Sequence, residues 1–326
     1  VARPVRLVAW MEHRQVPIYL AAMVVGGVVG FAAPGSGSSL EHAINPALAG
    51  LLYVTFLQVP AADLLRSLKD GRFVGAALVI NFVIVPIVVA AVFLLLPADQ
   101  TIRVGVLLVL LTPCVDYVIV FSGIAGGNSE RLLASTPLLL ILQMALLPVF
   151  LVLFMGSDLA DIVEVGPFLH AFLILIVIPL TLAWLTQAWA ARARSGRLVA
   201  AGASTLMVPL MVAVLAVVVA SQIPKLDNNL TDVASVIPFY VAFLIIMAFA
   251  GTLLSRLFRL DVPASRAITF SGATRNSLVV LPLALALPAG YELAAAVVVT
   301  QTLVEIIGMV AYIRIIPRLL PNAVNR

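Results

Sequence analysis

Four residues of this chain could carry chemistry that its surroundings make conspicuous: Cys114, Asp116, Arg275 and Glu305, all within long apolar runs. Cys114 is the only cysteine, and it lies in the stretch Thr112-Pro113-Cys114-Val115-Asp116-Tyr117. One thiol excludes an internal disulfide and leaves a nucleophile with affinity for soft electrophiles, among them trivalent arsenic and antimony. The bland alternative is a small buried hydrophobe. Asp116 and Arg275 would each cost roughly 3 kcal/mol at membrane depth. Each therefore needs a reason. Either they form an ion pair with each other, or Arg275 receives an anion and Asp116 carries a proton. Glu305 has no basic residue within a turn on its own helix. A carboxylate in such surroundings suits a group that takes and releases protons near neutral pH.

The elements that must hold these residues are interrupted helices. Pro113 removes a backbone donor in the middle of an apolar run, which hydrocarbon tolerates only where protein or a water-lined cavity satisfies the freed carbonyl. A second interruption is expected in Ser271-Gly272-Ala273-Thr274-Arg275-Asn276-Ser277, with Ser271 and Gly272 at the break. Thr274, Asn276 and Ser277 would present hydroxyls and an amide at a helix start, where oxyanions and hydroxyl groups bind readily. Two interrupted helices in corresponding positions of two halves are the sequence mark of a transport site. Asn81, Gln58, Gln143 and Gln301 are expected to make interhelical hydrogen bonds.

With 63% hydrophobic and 10% charged residues in 326, the composition is that of a polytopic membrane protein. Apolar runs fall at about 16–33, 43–62, 73–96, 103–125, 134–155, 166–190, 198–221, 233–255, 264–287 and 291–316. Of the 19 lysines and arginines, Arg103 and Lys225 alone fall in connections on one side, and Arg275 lies inside a run. The others share the side of the N-terminus, which predicts both termini in the cytoplasm and an even number of spans. Residues 1–15 read as a cytoplasmic tail rather than a cleaved signal peptide.

The expectation is an all-α integral membrane protein of the plasma membrane, a single domain over 1–326, with ten transmembrane helices. A five-plus-five inverted repeat would pair about 16–155 with 166–316, because Gln143 and Gln301 each stand early in the last span of a half. Spans 4 and 9 would be broken and crossed, and spans 3 to 5 and 8 to 10 would form a core moving against the rest. No phosphate-binding loop is present, which excludes a nucleotide-driven pump. His13, His42 and His170 lie in tails or span ends and no second mid-membrane aspartate accompanies Asp116, so an intramembrane hydrolase and a cofactor are not expected. The basic residues mark loops beside the lipid bilayer, not a nucleic-acid surface.

Pro113-Cys114 followed by Ile124-Ala125-Gly126-Gly127-Asn128 resembles the helix 4 signature of the bile acid:sodium symporter superfamily, where an apolar-Ala-x-Gly-Asn turn closes the broken helix. Leu303-Val304-Glu305 resembles the Leu-Val-Glu segment in the last helix of the arsenical-resistance permeases, a branch that exports arsenite. The resemblance implies a cysteine and a glutamate in use at Cys114 and Glu305. The sodium-coupled branch carries an acid where this chain has Ser271, a Gln-Asn pair where it has Arg275-Asn276, and Ser-Asn ligands where it has Val118 and Ile119. That implies a carrier without sodium coupling. The permeases' Asn-Asn-Phe-Glu run is replaced by Arg275-Asn276-Ser277-Leu278.

The function expected is efflux of arsenite, and of antimonite, in exchange for protons. Cys114 would take the trivalent arsenic as substrate, Thr274, Asn276 and Ser277 its hydroxyls, and Glu305, with Asp116 second, the proton. The alternative is an organic-anion carrier that binds its substrate at Arg275.

Overall fold

The computed structural model describes residues 10–11, 14–58, 70–114, 117–156, 173–226 and 230–321. Asp116, His13, His170 and the loop around Asp158, Asp161 and Glu164 lie outside the described residues. The described residues are nearly all helical. Each of the ten apolar runs carries helix, and the fourth and ninth are interrupted. Among the described residues, five helices are long and apolar enough to cross a membrane, and a sixth is added when a pair bent by 40° is taken as one span. Leucines and phenylalanines left bare on the helix surfaces, such as Leu94, Phe249 and Leu253, are the faces that lipid covers.

Two compact units are formed, Val1–Pro60 with Gly166–Leu230, and Ala61–Val165 with Thr231–Arg326. The first contains α1 (Gln15–Ala32), α2 (Gly37–Leu57), α7 (Ile178–Arg192), α8 (Arg194–Ser204) and α9 (Met207–Gln222). Gly26 lets α1 touch α9: a Cβ there would lie 2.5 Å from the carbonyl oxygen of Ala216. Small residues at such contacts drive association where water cannot. The last carbonyls of α2, which have no partner within the helix, accept from Gln187 Nε2 at Phe56 (3.2 Å) and Leu57 (3.0 Å).

The second unit gathers spans 3 to 5 and 8 to 10, the set expected to form a core. It contains α3 (Gly71–Leu95), α4 (Gln100–Leu110), α5 (Tyr117–Ile124), α6 (Ser129–Met155), α10 (Ile237–Leu257), α11 (Val262–Ala273), α12 (Ser277–Leu285) and α13 (Leu293–Leu319). Polar side chains start most of these helices. Asp70, Asp99, Asn128, Asp261 and Asn276 each accept a hydrogen bond from the backbone N–H three residues on. Such caps matter most in α4, α11 and α12, half-spans too short to be stable alone.

The apolar-Ala-x-Gly-Asn turn is a Schellman closure of α5. Gly126 takes φ +72°, its N–H donates to Gly123 O at 2.9 Å, and Gly127 N–H donates to Ser122 O at 2.8 Å. Arg266 Nη1 then takes the carbonyl of Ala125 (3.1 Å), while Nε and Nη2 of the same side chain take that of Leu320 (3.1 and 2.8 Å). One buried arginine thus closes the ends of α5 and α13. Arg131, at the start of α6, bridges the caps of α3 and α11, reaching Asp70 at 3.1 Å and Asp261 at 3.0 Å.

Candidate functional site

The two interrupted spans meet at their breaks. Cys114 N–H donates to Thr274 O at 3.1 Å and Asn276 N–H donates to Thr112 O at 2.9 Å, so Pro113 and Arg275 face each other in an antiparallel bridge. Backbone groups freed by one break therefore satisfy the other, which is what hydrocarbon demands of an unwound segment. The threonine hydroxyls finish the half-helices: Thr112 Oγ1 donates to Leu108 O (2.9 Å) and Thr274 Oγ1 to Phe270 O (2.8 Å).

The second break lies about one helical turn later than Ser271 and Gly272, where the sequence places it. Both residues are in the last turn of α11, and the interruption is Thr274-Arg275-Asn276. The reason is Arg275. Its Nη2 donates to Ser271 O, Gly272 O and Asn81 Oδ1, each at 2.8 Å, and Nη1 to Leu110 O at 3.3 Å. The guanidinium thereby extends α11 by one turn and closes the end of α4. It is fully buried, with Cζ 5.6 Å from the ring centre of Phe243 on α10.

Asn81 is supplied by a π turn in α3. Val85 N–H donates to Ile80 O, five residues back, because Pro86 has no N–H to continue the α register. The side chain is held on its other side by donation from Nδ2 to Ala77 O (3.0 Å) and Ser271 Oγ (2.9 Å). The interhelical bond expected of Asn81 is present; that it holds the guanidinium was not legible, because nothing in the sequence pairs spans 3 and 9.

Glu305, on α13, is 1% exposed. Oε2 accepts from the main-chain N–H of Arg275 at 2.8 Å and from Gln301 Nε2, and Oε1 accepts from Tyr117 Oη at 2.7 Å. Tyr117 Oη is also 3.2 Å from Arg275 O. The carboxylate thus ties α13 to the ninth-span break and to the first residue of α5. Tyr117 was missed in the sequence, and its place directly after Asp116 in an interrupted helix was the available signal.

Cys114 is buried beside the bridge. Among the described residues no three His, Cys, Asp or Glu side chains come together as a metal-ion site. Ser277 Oγ accepts from Thr302 Oγ1 of α13 at 2.7 Å. Of the predicted site residues, then, Cys114, Thr274, Arg275, Asn276 and Glu305 meet directly at the crossing, and Ser277 lies on the adjoining helix start. Among the described residues, three buried polar atoms there lack a hydrogen-bond partner: Asn276 Nδ2, Arg275 Nε and Gln301 Oε1. Two donors and an acceptor are what a small hydroxylated substrate could use.

Crossed, interrupted helices with buried charge at the crossing are the architecture of a secondary carrier. Residues 18–311 match the SBF-like CPA transporter family (DUF4137). The chain belongs to that family. It is a multi-pass membrane transporter of bile acid:sodium symporter-like kind. No curated protein matches it.

Proposed function

We propose that this SBF-like transporter exports arsenite, and antimonite, in exchange for protons, through ten spans arranged as an inverted repeat with both termini in the cytoplasm of a plasma membrane. The observation that carries the coupling is the bonding of Glu305 to Arg275 N–H, Tyr117 Oη and Gln301 Nε2. The ionised carboxylate accepts all three with full negative charge; a proton taken up on it removes that charge, adds a donor to a group that was acceptor only, and weakens its hold on the three donors. Proton uptake at Glu305 therefore changes the ties among α13, the ninth-span break and α5, which is how a proton can be linked to movement at the crossing. Asp116 is the second proton candidate.

Arsenite at neutral pH is a neutral trihydroxide and enters an apolar site without a counter-charge. Cys114 is the soft ligand, and Asn276 Nδ2 and Gln301 Oε1, which have no partner among the described residues, are the groups available for its hydroxyls.

The second reading, an organic-anion carrier that uses Arg275, has one observation in its favour: Nε has no hydrogen-bond partner among the described residues. Against it, the two terminal nitrogens hold carbonyls of α4 and α11, and an anion that drew the guanidinium away would uncap both helices.

Everted membrane vesicles given a proton gradient test the proposal. Arsenite uptake by the parent that needs the gradient, and that disappears in Cys114→Ser and Glu305→Gln, is the expected result. Absence of uptake by inserted, folded parent protein refutes arsenite export.

A further inference from the structure

We infer that the Arg275 guanidinium is a resident, tethered cation that fills an oxygen-lined cation site at the crossing, so that this fold needs no dissolved monovalent cation there.

The ligands of the guanidinium are those of a cation site. Leu110 O comes from the end of α4, Ser271 O and Gly272 O from the end of α11, and Asn81 Oδ1 from the π turn of α3. All are neutral oxygens, the donor set that hard cations take. Each helix C-terminus carries an effective charge on the order of −0.5. Two such ends directed at one point make a buried negative region that about one positive charge neutralises. In broken-helix carriers the ends of half-helices are places where a coupling cation binds. Here a side chain of the same chain reaches those carbonyls, and Phe243 covers its face.

The acid that balances it is separated from it in role. The hydrogen bonds of Glu305 go to Arg275 N–H, Tyr117 and Gln301, on the N–H side of the break, while the guanidinium lies on the carbonyl side. The guanidinium is thus placed against helix ends of opposite sign, and the carboxylate against a backbone donor of the break. A mobile cation at the same carbonyls would make the crossing form and dissolve with salt; a tethered one makes it permanent.

The inference is independent of the substrate and is tested on stability alone. The parent and Arg275→Ala, purified in detergent, are melted in matched, non-denaturing concentrations of choline, sodium, potassium and guanidinium chloride. Parent melting is expected to be the same in all four salts. Arg275→Ala is expected to melt about 5 to 10 °C lower in choline, to regain at least half of the loss in guanidinium, and to regain part in sodium or potassium. An alanine variant as stable as the parent in choline, or one that no cation restores beyond choline, overturns the inference. Should Arg275→Ala fail to fold in every salt, Arg275→Lys and Arg275→Gln decide. A required positive charge makes the lysine variant the more stable of the two and indifferent to added cations; equal stability, or the reverse order, overturns the inference.

Discussion

The carboxylate of Glu305 is bound by the main-chain N–H of Arg275, 2.8 Å from Oε2, while the guanidinium of the same Arg275 bonds to the carbonyls of Leu110, Ser271 and Gly272. One residue therefore presents a backbone donor to an acid and a side-chain cation to helix ends. Glu305→Gln retains an oxygen that can accept from Arg275 N–H, so the variant should fold. It cannot exchange a proton. Loss of the gradient-driven arsenite uptake seen in the parent would fit the assignment; undiminished gradient dependence in vesicles would remove Glu305 from coupling.

Tyr117 Oη donates to Glu305 and lies within reach of Arg275 O. Tyr117→Phe keeps the ring, which packs edge-on against Phe121 with centroids 6.0 Å apart, and deletes only the hydroxyl. A buried hydrogen bond to a charged group contributes about 1.5 to 3 kcal/mol. The phenylalanine variant should melt several degrees below the parent, and an unchanged melting temperature would show that the bond contributes nothing.

Asn81 holds the guanidinium from α3. Asn81→Leu removes the acceptor at Oδ1 and both bonds from Nδ2, and should lower stability by about 2 kcal/mol or more because a buried charge loses a ligand. Asn81→Asp restores an oxygen and adds a carboxylate beside the cation. Thermal unfolding should rank Asp above Leu, and the reverse order would mean that packing in the π turn outweighs the contact with Arg275.

Gly126 combines φ +72° with close approach: a Cβ there would lie 2.6 Å from Arg266 Nη1. Gly126→Ala therefore adds about 1 to 2 kcal/mol of left-handed strain and displaces the arginine that closes α5 and α13. Hydrogen exchange should show faster opening at the ends of both helices, not in the α5–α6 turn alone. Exchange confined to the turn would mean that Arg266 does not couple them.

Cys114→Ser is nearly isosteric, and the backbone N–H that bridges to Thr274 remains. Melting close to that of the parent, together with complete loss of arsenite export, is the expected pair of results. Retained export by the serine variant would make Cys114 a packing residue.

The amino-acid sequence by itself determined the membrane class, the ten apolar runs, and the two spans that could not be continuous. These follow from local chemistry: hydropathy, a proline without an N–H at Pro113, and charges placed where lipid rejects them. Composition and position likewise singled out Cys114, Arg275 and Glu305. The exact break in the ninth span was not legible, because Ser271 and Gly272 look like helix breakers until a guanidinium three to four residues on is seen to cap their carbonyls. Nor were the partners of that guanidinium, since Leu110, Asn81 and Arg275 belong to three different spans and no local rule orders spans in space. Only the tertiary structure brought the ends of α4 and α11 together, and hydrogen bonding at the crossing, which acts over a few ångströms, then decided which charge met which helix end.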